Sequence, residues 1–288
     1  MQLCKFQLVD GEIGVGAVRE GRVHRIVPKD TLSMLRLSDL LDLIDPGADI
    51  GDLSEDRAQS YALEDVTLLP PVDSQEVWAA GVTYKRSQEA RERESAGAAR
   101  FYDLVYSAPR PELFLKATAR RVVGTGQRVR IRRDSRWSVP EPELALMISP
   151  RMRIVGYTIG NDISARDIEG ENPLYLPQAK IYDGSCSLGP VVTRPRAMPP
   201  LHEVGIRLCI ERTGRSVFEG STCLAAMNRK LEDLVLWLGQ ENSFPDGAVL
   251  LTGTGIVPPD DFALAHGDLV TIEIDGIGRL VNPVEQLG

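Results

Sequence analysis

The residues of this chain best able to do chemistry are carboxylates set close together. In the stretch SVPEPELALMIS (138–149), Glu141 and Glu143 stand one residue apart, directly in front of an apolar run. Positions two apart in a strand point to the same face, so both carboxylates project side by side. Like charges that close raise each other's pKa unless something cationic lies between them. A second acidic group follows in GYTIGNDISARDIEGENP (156–173), which carries Asp162, Asp167, Glu169 and Glu171. Asp162 falls near the end of an apolar strand pattern, where a buried carboxylate needs a partner. Three readings of the Glu141/Glu143 pair compete. One is a solvated strand edge. Another is the acid and base of a glycosidase, although those carboxylates flank a bond from opposite sides. The third is ligation of a hard divalent cation, which takes carboxylate oxygens without histidine or thiolate.

Other chemistries find less support. The four cysteines form no C-x-x-C, and no Cys/His cluster has zinc-ligand spacing. The three histidines, His24, His202 and His266, are scattered, so no local pattern suggests a nucleophilic triad. The net charge of −8 argues against nucleic acid, and the short basic patch RIRRDSR (130–136) reads as a solvated edge or turn. No apolar run approaches the roughly 20 residues of a spanning helix. The start, MQLCKFQLVDGEIGVG, has no signal-peptide pattern, which predicts a cytoplasmic protein without membrane contact.

The elements that must hold these residues are mostly strands. The stretch CKFQLVDGEIGVGAVREGRVHRIV (4–27) reads as a small antiparallel meander broken at Asp10-Gly11 and Glu20-Gly21-Arg22, followed by an amphipathic helix over 31–44 with Leu32, Leu35, Leu40 and Ile44 on one face. Pro70-Pro71 marks a boundary, giving a small N-terminal domain (1–70) and a catalytic domain (71–288). In the second part, 76–84, 127–131, 143–149 and 153–164 read as strands, and 87–105 as a charged helix. Hairpins are expected over 205–221, turning at Thr213-Gly214, and over 268–284, turning near Asp275-Gly276. A helix over 230–239 stops at Gly239. Many strands, few helices and no regular βαβ alternation predict an α+β, mostly β fold.

The ordered series of segments resembles the fumarylacetoacetate hydrolase family over about residues 70–284. The match comprises VWAAGVTYKR (77–86), PELFLKA (111–117), the E-x-E strand, the segment Gly-Tyr…Asn-Asp-x-Ser-x-Arg-Asp, a lysine before Ser-x-x-Leu-Gly-Pro, and LLTGTGIVP (250–258). This resemblance implies a mixed β-roll or sandwich with a small N-terminal domain. It implies Glu141, Glu143 and Asp162 as ligands of Mg²⁺, or else Mn²⁺ or Ca²⁺. It also implies Lys180 and Arg166 beside the ion, Lys180 to polarise the substrate or shuttle a proton and Arg166 with an equal case for pairing a carboxylate. Lys116 would line the pocket, Thr252 and Thr254 would hold a substrate carboxylate, and Tyr84 and Arg86 are substrate contacts by position. A homo-oligomer, dimer or tetramer, acting on a small 2-keto acid is further implied.

One departure bears on the reaction. Hydrolases of the family carry a histidine after the substrate loop to activate water, and VTYKRSQEARERE has none, leaving only Glu89, Glu92 and Glu94 there. Within the family, SARDIEGENPLYLPQAKIYDGSCSLGP looks like the branch that dehydrates 2-keto-3-deoxy sugar acids to an α-keto acid semialdehyde. That reaction passes through an enolate and needs no water nucleophile. The C3 base is expected to be Lys180 first, and Glu112 or Glu171 second. Acylpyruvate-type C–C hydrolysis is the alternative, an isomerase or decarboxylase shares the enolate, and a keto-acid-binding protein without turnover is a rival that the complete set of carboxylates and Lys180 disfavours.

Overall fold

The computed structural model describes residues 1–28, 36–44, 53–87, 89 and 104–288, by backbone alone at 28, 43–44 and 53–58. Two strand layers dominate it, in keeping with the mostly β expectation. The larger sheet runs, in spatial order, through Leu53–Ala62, Arg22–Pro28, Ile13–Arg19, Gln2–Gln7, Cys186–Thr193, Ile154–Asp162, Pro142–Ile148, Ala248–Leu251, Glu76–Gly81 and Glu112–Thr118. The second sheet orders Arg215–Cys223, Gly205–Arg212, Leu269–Ile274, Gly278–Gln286 and Val129–Ile131.

The strand Pro142–Ile148 is buried at every position, because it lies inside the large sheet with a layer on each face. On one face, Leu144, Leu146 and Ile148 share a core with Ile206, Leu208, Ile210, Val270 and Ile272 of the second sheet and with Leu231, Leu234 and Leu238 of the helix Leu231–Leu238. On the other, Ala145 and Met147 pack in a cluster with Leu37, Leu40 and Leu41 of the helix Leu37–Ile44. Burial on both faces explains why this strand reads as a continuous apolar run rather than an alternating one.

The expected hairpins form. Gly205–Arg212 pairs with Arg215–Cys223 around Thr213 and Gly214, both at positive φ (51° and 76°), as a tight two-residue turn demands. Leu269–Ile274 pairs with Gly278–Gln286 around Asp275 and Gly276. The helix Leu231–Leu238 ends at Gly239 as expected. The N-terminal meander is present, and its first strand bonds edge-on to Cys186–Thr193, with Gln2 opposite Thr193 and Leu3 opposite Val192. Of the helix expected over 31–44, the part from Leu37 is seen; Leu32 and Leu35 lie outside the described residues, as do Glu92, Glu94 and most of the charged segment 87–105. Two short helices, Arg166–Glu171 and Leu176–Lys180, occupy the long stretch after Asp162, the second with Pro177 in its first turn, where a missing N–H costs nothing. No helix among the described residues is long and apolar enough to cross a membrane.

Candidate metal centre

Five chain segments meet at one end of the large sheet. Pro142–Ile148 begins there, and its antiparallel neighbours Ile154–Asp162 and Ala248–Leu251 end there. Glu76–Gly81, parallel to Ala248–Leu251, also ends there, and Glu112–Thr118 begins opposite it. Pro142 pairs with Asn161 and Glu143 with Gly160, so the register carries Asp162 opposite Glu141 and aims all three carboxylates to one face. The backbone N–H of Asp162 donates to the carbonyl of Glu141 at 3.0 Å, closing the ladder. One oxygen from each of Glu141, Glu143 and Asp162 lies within 4.8 Å of the others, and all three residues are buried.

Around this triad the cations are already engaged. Lys180 Nζ donates to Ser164 Oγ (2.6 Å), Glu141 Oε2 (2.9 Å) and Asp162 Oδ2 (3.1 Å), which accounts for its three protons. Arg166 Nη2 lies 2.8 Å from Glu141 Oε1. Lys116, wholly buried, stands behind Asp162. Its Nζ donates to the carbonyls of Lys180 (2.6 Å) and Ile163 (2.9 Å) and lies 2.5 Å from Asp162 Oδ1. Lys116 is therefore not in the cavity wall: it supports the wall from beneath.

The turn Thr252–Thr254 closes the site from the strand Ala248–Leu251. Gly253, at φ +89°, points its N–H at Glu143 Oε2, 2.5 Å away. The Thr252 hydroxyl donates to the carbonyl of Leu144 (2.9 Å), and its own carbonyl accepts from Thr83 Oγ1 (2.6 Å), so Thr252 braces the turn. Thr254 lines the cavity, its hydroxyl paired with the backbone of Ile256. Tyr84 is buried with its hydroxyl unpartnered among the described residues. Burial, and then the charge of Glu143, pushes that hydroxyl's pKa up. Arg86 is exposed and outside the described cavity wall.

The remaining acidic candidates separate by position. Asp167 accepts from Ser135 Oγ (2.6 Å) and the Arg136 N–H (2.7 Å), tying down the loop before Glu141. Glu171 is exposed. Glu169 is buried and lines the cavity together with Glu112, Ser87, Val82 and Phe114. Glu112 rests on Gly81: a Cβ there would fall 2.1 Å from Glu112 Oε2. The wall residue Gly81 carried no chemical signal of its own in the sequence; only its place at a strand end marks it.

A hard divalent ion fits this donor set. Burial, and then the charges of Asp162 and Glu141, hold the Glu143 carboxyl well above the ordinary carboxylate range. A cation reverses that penalty. Asp162 Oδ1 is buried, and its contact with Lys116 lies off the hydrogen-bonding direction, leaving an acceptor site open. Among the described residues, Glu112, Glu141, Glu143, Asp162 and Glu169 set five carboxylates against the three cations Lys116, Arg166 and Lys180. All-oxygen donors of this kind suit Mg²⁺, Mn²⁺ or Ca²⁺.

Known proteins resemble the chain along its length. The family model for the fumarylacetoacetate (FAA) hydrolase C-terminal region matches residues 76–285. A protein of Haloferax volcanii named "Probable 2-keto-3-deoxyxylonate dehydratase" is 43% identical over 286 residues, covering 96% of each chain. The 2-dehydro-3-deoxy-D-arabinonate dehydratase of Saccharolobus solfataricus is 43% identical over 231 residues, 79% of this chain and 78% of the relative. Among solved structures, 2-keto-3-deoxy-D-arabinonate dehydratase complexed with magnesium and 2,5-dioxopentanoate superposes with a TM-score of 0.83 at 36% identity, over 100% of this chain and 99% of that one. The geometry of the site and these matches together place the chain in the fumarylacetoacetate hydrolase family.

Proposed function

We propose that this protein is a divalent-metal-dependent dehydratase that converts a 2-keto-3-deoxy pentonate to 2,5-dioxopentanoate. The observation that carries the reading is the buried Glu141–Glu143–Asp162 triad in a chain 43% identical to two dehydratases of such acids. The solved relative bound to magnesium and 2,5-dioxopentanoate supports both the ion and the product.

Glu141, Glu143 and Asp162 hold the ion, which supplies Lewis acidity to the keto and carboxylate oxygens of the substrate and so acidifies its C3 protons. Glu112 takes a C3 proton. The expectation favoured Lys180, but that ammonium already gives its three protons to Glu141, Asp162 and Ser164, so it acts as a donor. Glu171 is exposed, whereas Glu112 is half-buried in the wall with its carboxylate fixed over Gly81. Lys180 and Arg166 hold Glu141 in place and oppose negative charge gathering on the keto oxygen. The C4 hydroxyl departs with a proton as water. Loss of a C5 proton from the remaining C3–C4 alkene and return of a proton to C3 give the C4–C5 enol, which tautomerises to the aldehyde. Thr254 borders the substrate, Thr252 and Lys116 brace the walls, and Tyr84 and Arg86 stand outside the described wall.

The reading extends to a cytoplasmic homo-oligomer, dimer or tetramer, as the family resemblance implies, which light scattering tests. It keeps the division near residue 70: the family match begins at residue 76, and the N-terminal strands then form a domain docked edge-on to the catalytic sheet. The deciding assay follows semialdehyde formation from 2-keto-3-deoxypentonate with Mg²⁺, with acetylpyruvate alongside. Semialdehyde without acetylpyruvate cleavage upholds the dehydratase; the reverse result establishes a hydrolase.

A further inference from the structure

The three carboxylates of the triad are not held alike. Glu141 is flanked by Lys180 and Arg166, and Asp162 by Lys180 and Lys116. Among the described residues Glu143 pairs with no cation, and its hydrogen bond comes from the Gly253 N–H. The aim of that carboxylate therefore depends on how one peptide plane lies.

That plane is the Thr252–Gly253 peptide, and it is gripped at both ends. Its N–H donates to Glu143 Oε2, and its carbonyl accepts from Thr83 Oγ1 at 2.6 Å. A glycine peptide can turn over with little steric hindrance, and a turned plane would set a carbonyl oxygen against the carboxylate. The Thr83 hydroxyl opposes this, because turning breaks its bond. Donation to the carbonyl also polarises the amide and strengthens the N–H on its far side.

Thr83 is wholly buried, and among the described residues its hydroxyl makes this one hydrogen bond. The backbone is bent to place it. The parallel strands Glu76–Gly81 and Ala248–Leu251 run side by side as far as Ala79 and Leu251. Val82 then sits at φ +53°, a region that a β-branched residue rarely occupies and that holds only where the surroundings impose it. Beyond the bend the loop is pinned again: the Thr83 carbonyl accepts from the Asn228 N–H at 2.8 Å, and Tyr84 bridges Met227. The fit between loop and turn is close, since a Cβ at Gly253 would fall 2.1 Å from Thr83 Oγ1 and 3.0 Å from the Ala80 carbonyl.

We infer that Thr83 is a positioning residue of the metal site: its hydroxyl locks the Thr252–Gly253 peptide so that the Gly253 N–H keeps Glu143 aimed at the ion. Thr83 acts through that peptide and lies outside the described cavity wall. This role rests on the metal-dependent reading proposed above and adds an outer support to the one ligand that no cation holds.

Two variants separate hydrogen bonding from packing. Thr83→Val keeps the shape and loses the donor; Thr83→Ser keeps the donor and loses a methyl group. Calorimetric titration of the full chain with Mg²⁺ should show affinity about 10–100-fold weaker in Thr83→Val, the usual effect of removing an outer partner of a ligand, and nearly restored in Thr83→Ser. The Mg²⁺ concentration for half-maximal dehydration should rise with the dissociation constant, while kcat at saturating Mg²⁺ should fall much less. Undiminished affinity in Thr83→Val overturns the inference, and so does a serine variant as weak as the valine one, since packing would then carry the effect. If the valine variant does not fold, hydrogen exchange in the unaltered protein decides, read by NMR with isotope-labelled glycine. The Gly253 N–H should stay protected in EDTA as in Mg²⁺, and exchange as fast as at the exposed turn residue Gly214 overturns the lock. Absence of Mg²⁺ binding by the unaltered protein overturns the functional reading instead, and leaves the exchange measurement to judge Thr83.

Discussion

Lys116 and Asp162 form a fully buried ion pair, 2.5 Å between Nζ and Oδ1, with side chains 0% and 1% exposed. The same ammonium donates to the carbonyls of Ile163 and Lys180. One side chain therefore fixes a candidate metal ligand, the strand end that carries it, and the backbone of the lysine facing it. Its neighbours Glu112 and Phe114 on the same strand face reach the cavity, while Lys116, two residues further on, lies under it.

Replacing Lys116 by methionine should cost about 3–5 kcal/mol of stability, the usual penalty for removing one member of a buried charge pair. It should also weaken magnesium binding, because Asp162 loses the group that holds it. Urea denaturation with and without Mg²⁺, together with calorimetric titration, reads both effects; unaltered magnesium affinity contradicts the bracing role.

Glu143→Gln removes a ligand and one of three crowded charges. Metal content and turnover should fall together, while the metal-free variant should be at least as stable as the metal-free parent. Elemental analysis, an activity assay and thermal melting measure the three quantities, and retained turnover would falsify the triad.

Stability of the metal-free protein should depend on pH through Glu143. Its carboxyl in the folded chain titrates above the ordinary 4.5, because of burial and then the charges of Asp162 and Glu141. The unfolded chain binds fewer protons between the two values, so stability falls as pH rises from 4.5 through that window. Magnesium binds the ionised form and removes the slope. Melting curves from about pH 5 to pH 8 in EDTA should decline relative to those in Mg²⁺, and parallel curves refute the linkage.

Glu112→Gln should lower kcat by about 10²–10⁴ while leaving magnesium affinity intact. Deuterium exchange at C3 of 5-hydroxy-2-oxopentanoate, followed by NMR, isolates the proton-transfer step and should slow in parallel. Gly81→Ala pushes a methyl group into the Glu112 carboxylate, a side-chain end and not backbone, so it should shift the base and lower kcat with little change in melting temperature. Exchange at the parental rate in both variants would return the role of base to another group.

Much of the site could be read from residue order, because its parts sit at strand ends marked by short signals. Glu141 and Glu143 before an apolar run, and Asp162 after one, fix an antiparallel register that makes their meeting a matter of period-two geometry. The hairpin turns Thr213-Gly214 and Asp275-Gly276 were legible for a similar reason: their backbone demands are local. The direction in which each lysine spends its protons was not. Lys116 and Lys180 both belong to family segments, yet one lies behind Asp162 and the other in front, a difference set by tertiary packing between strands and helices far apart in sequence. Nor does sequence separate Glu169 from Glu171, two residues apart with opposite exposure. The short helix Arg166–Glu171 sets that difference, and it has no capping side chain to announce it.

The hydrogen bond from Gly253 to Glu143 spans 110 positions of sequence, and the strand preceding it lies between Pro142–Ile148 and Glu76–Gly81. A chain emerging from the ribosome reaches both flanking strands long before it reaches Ala248–Leu251. Until that strand inserts, the two halves of the sheet face each other with open apolar edges, a state of high contact order exposed to mispairing. The wall of the site closes only with insertion, so magnesium affinity reports on a completed sheet and comes too late to guide its assembly.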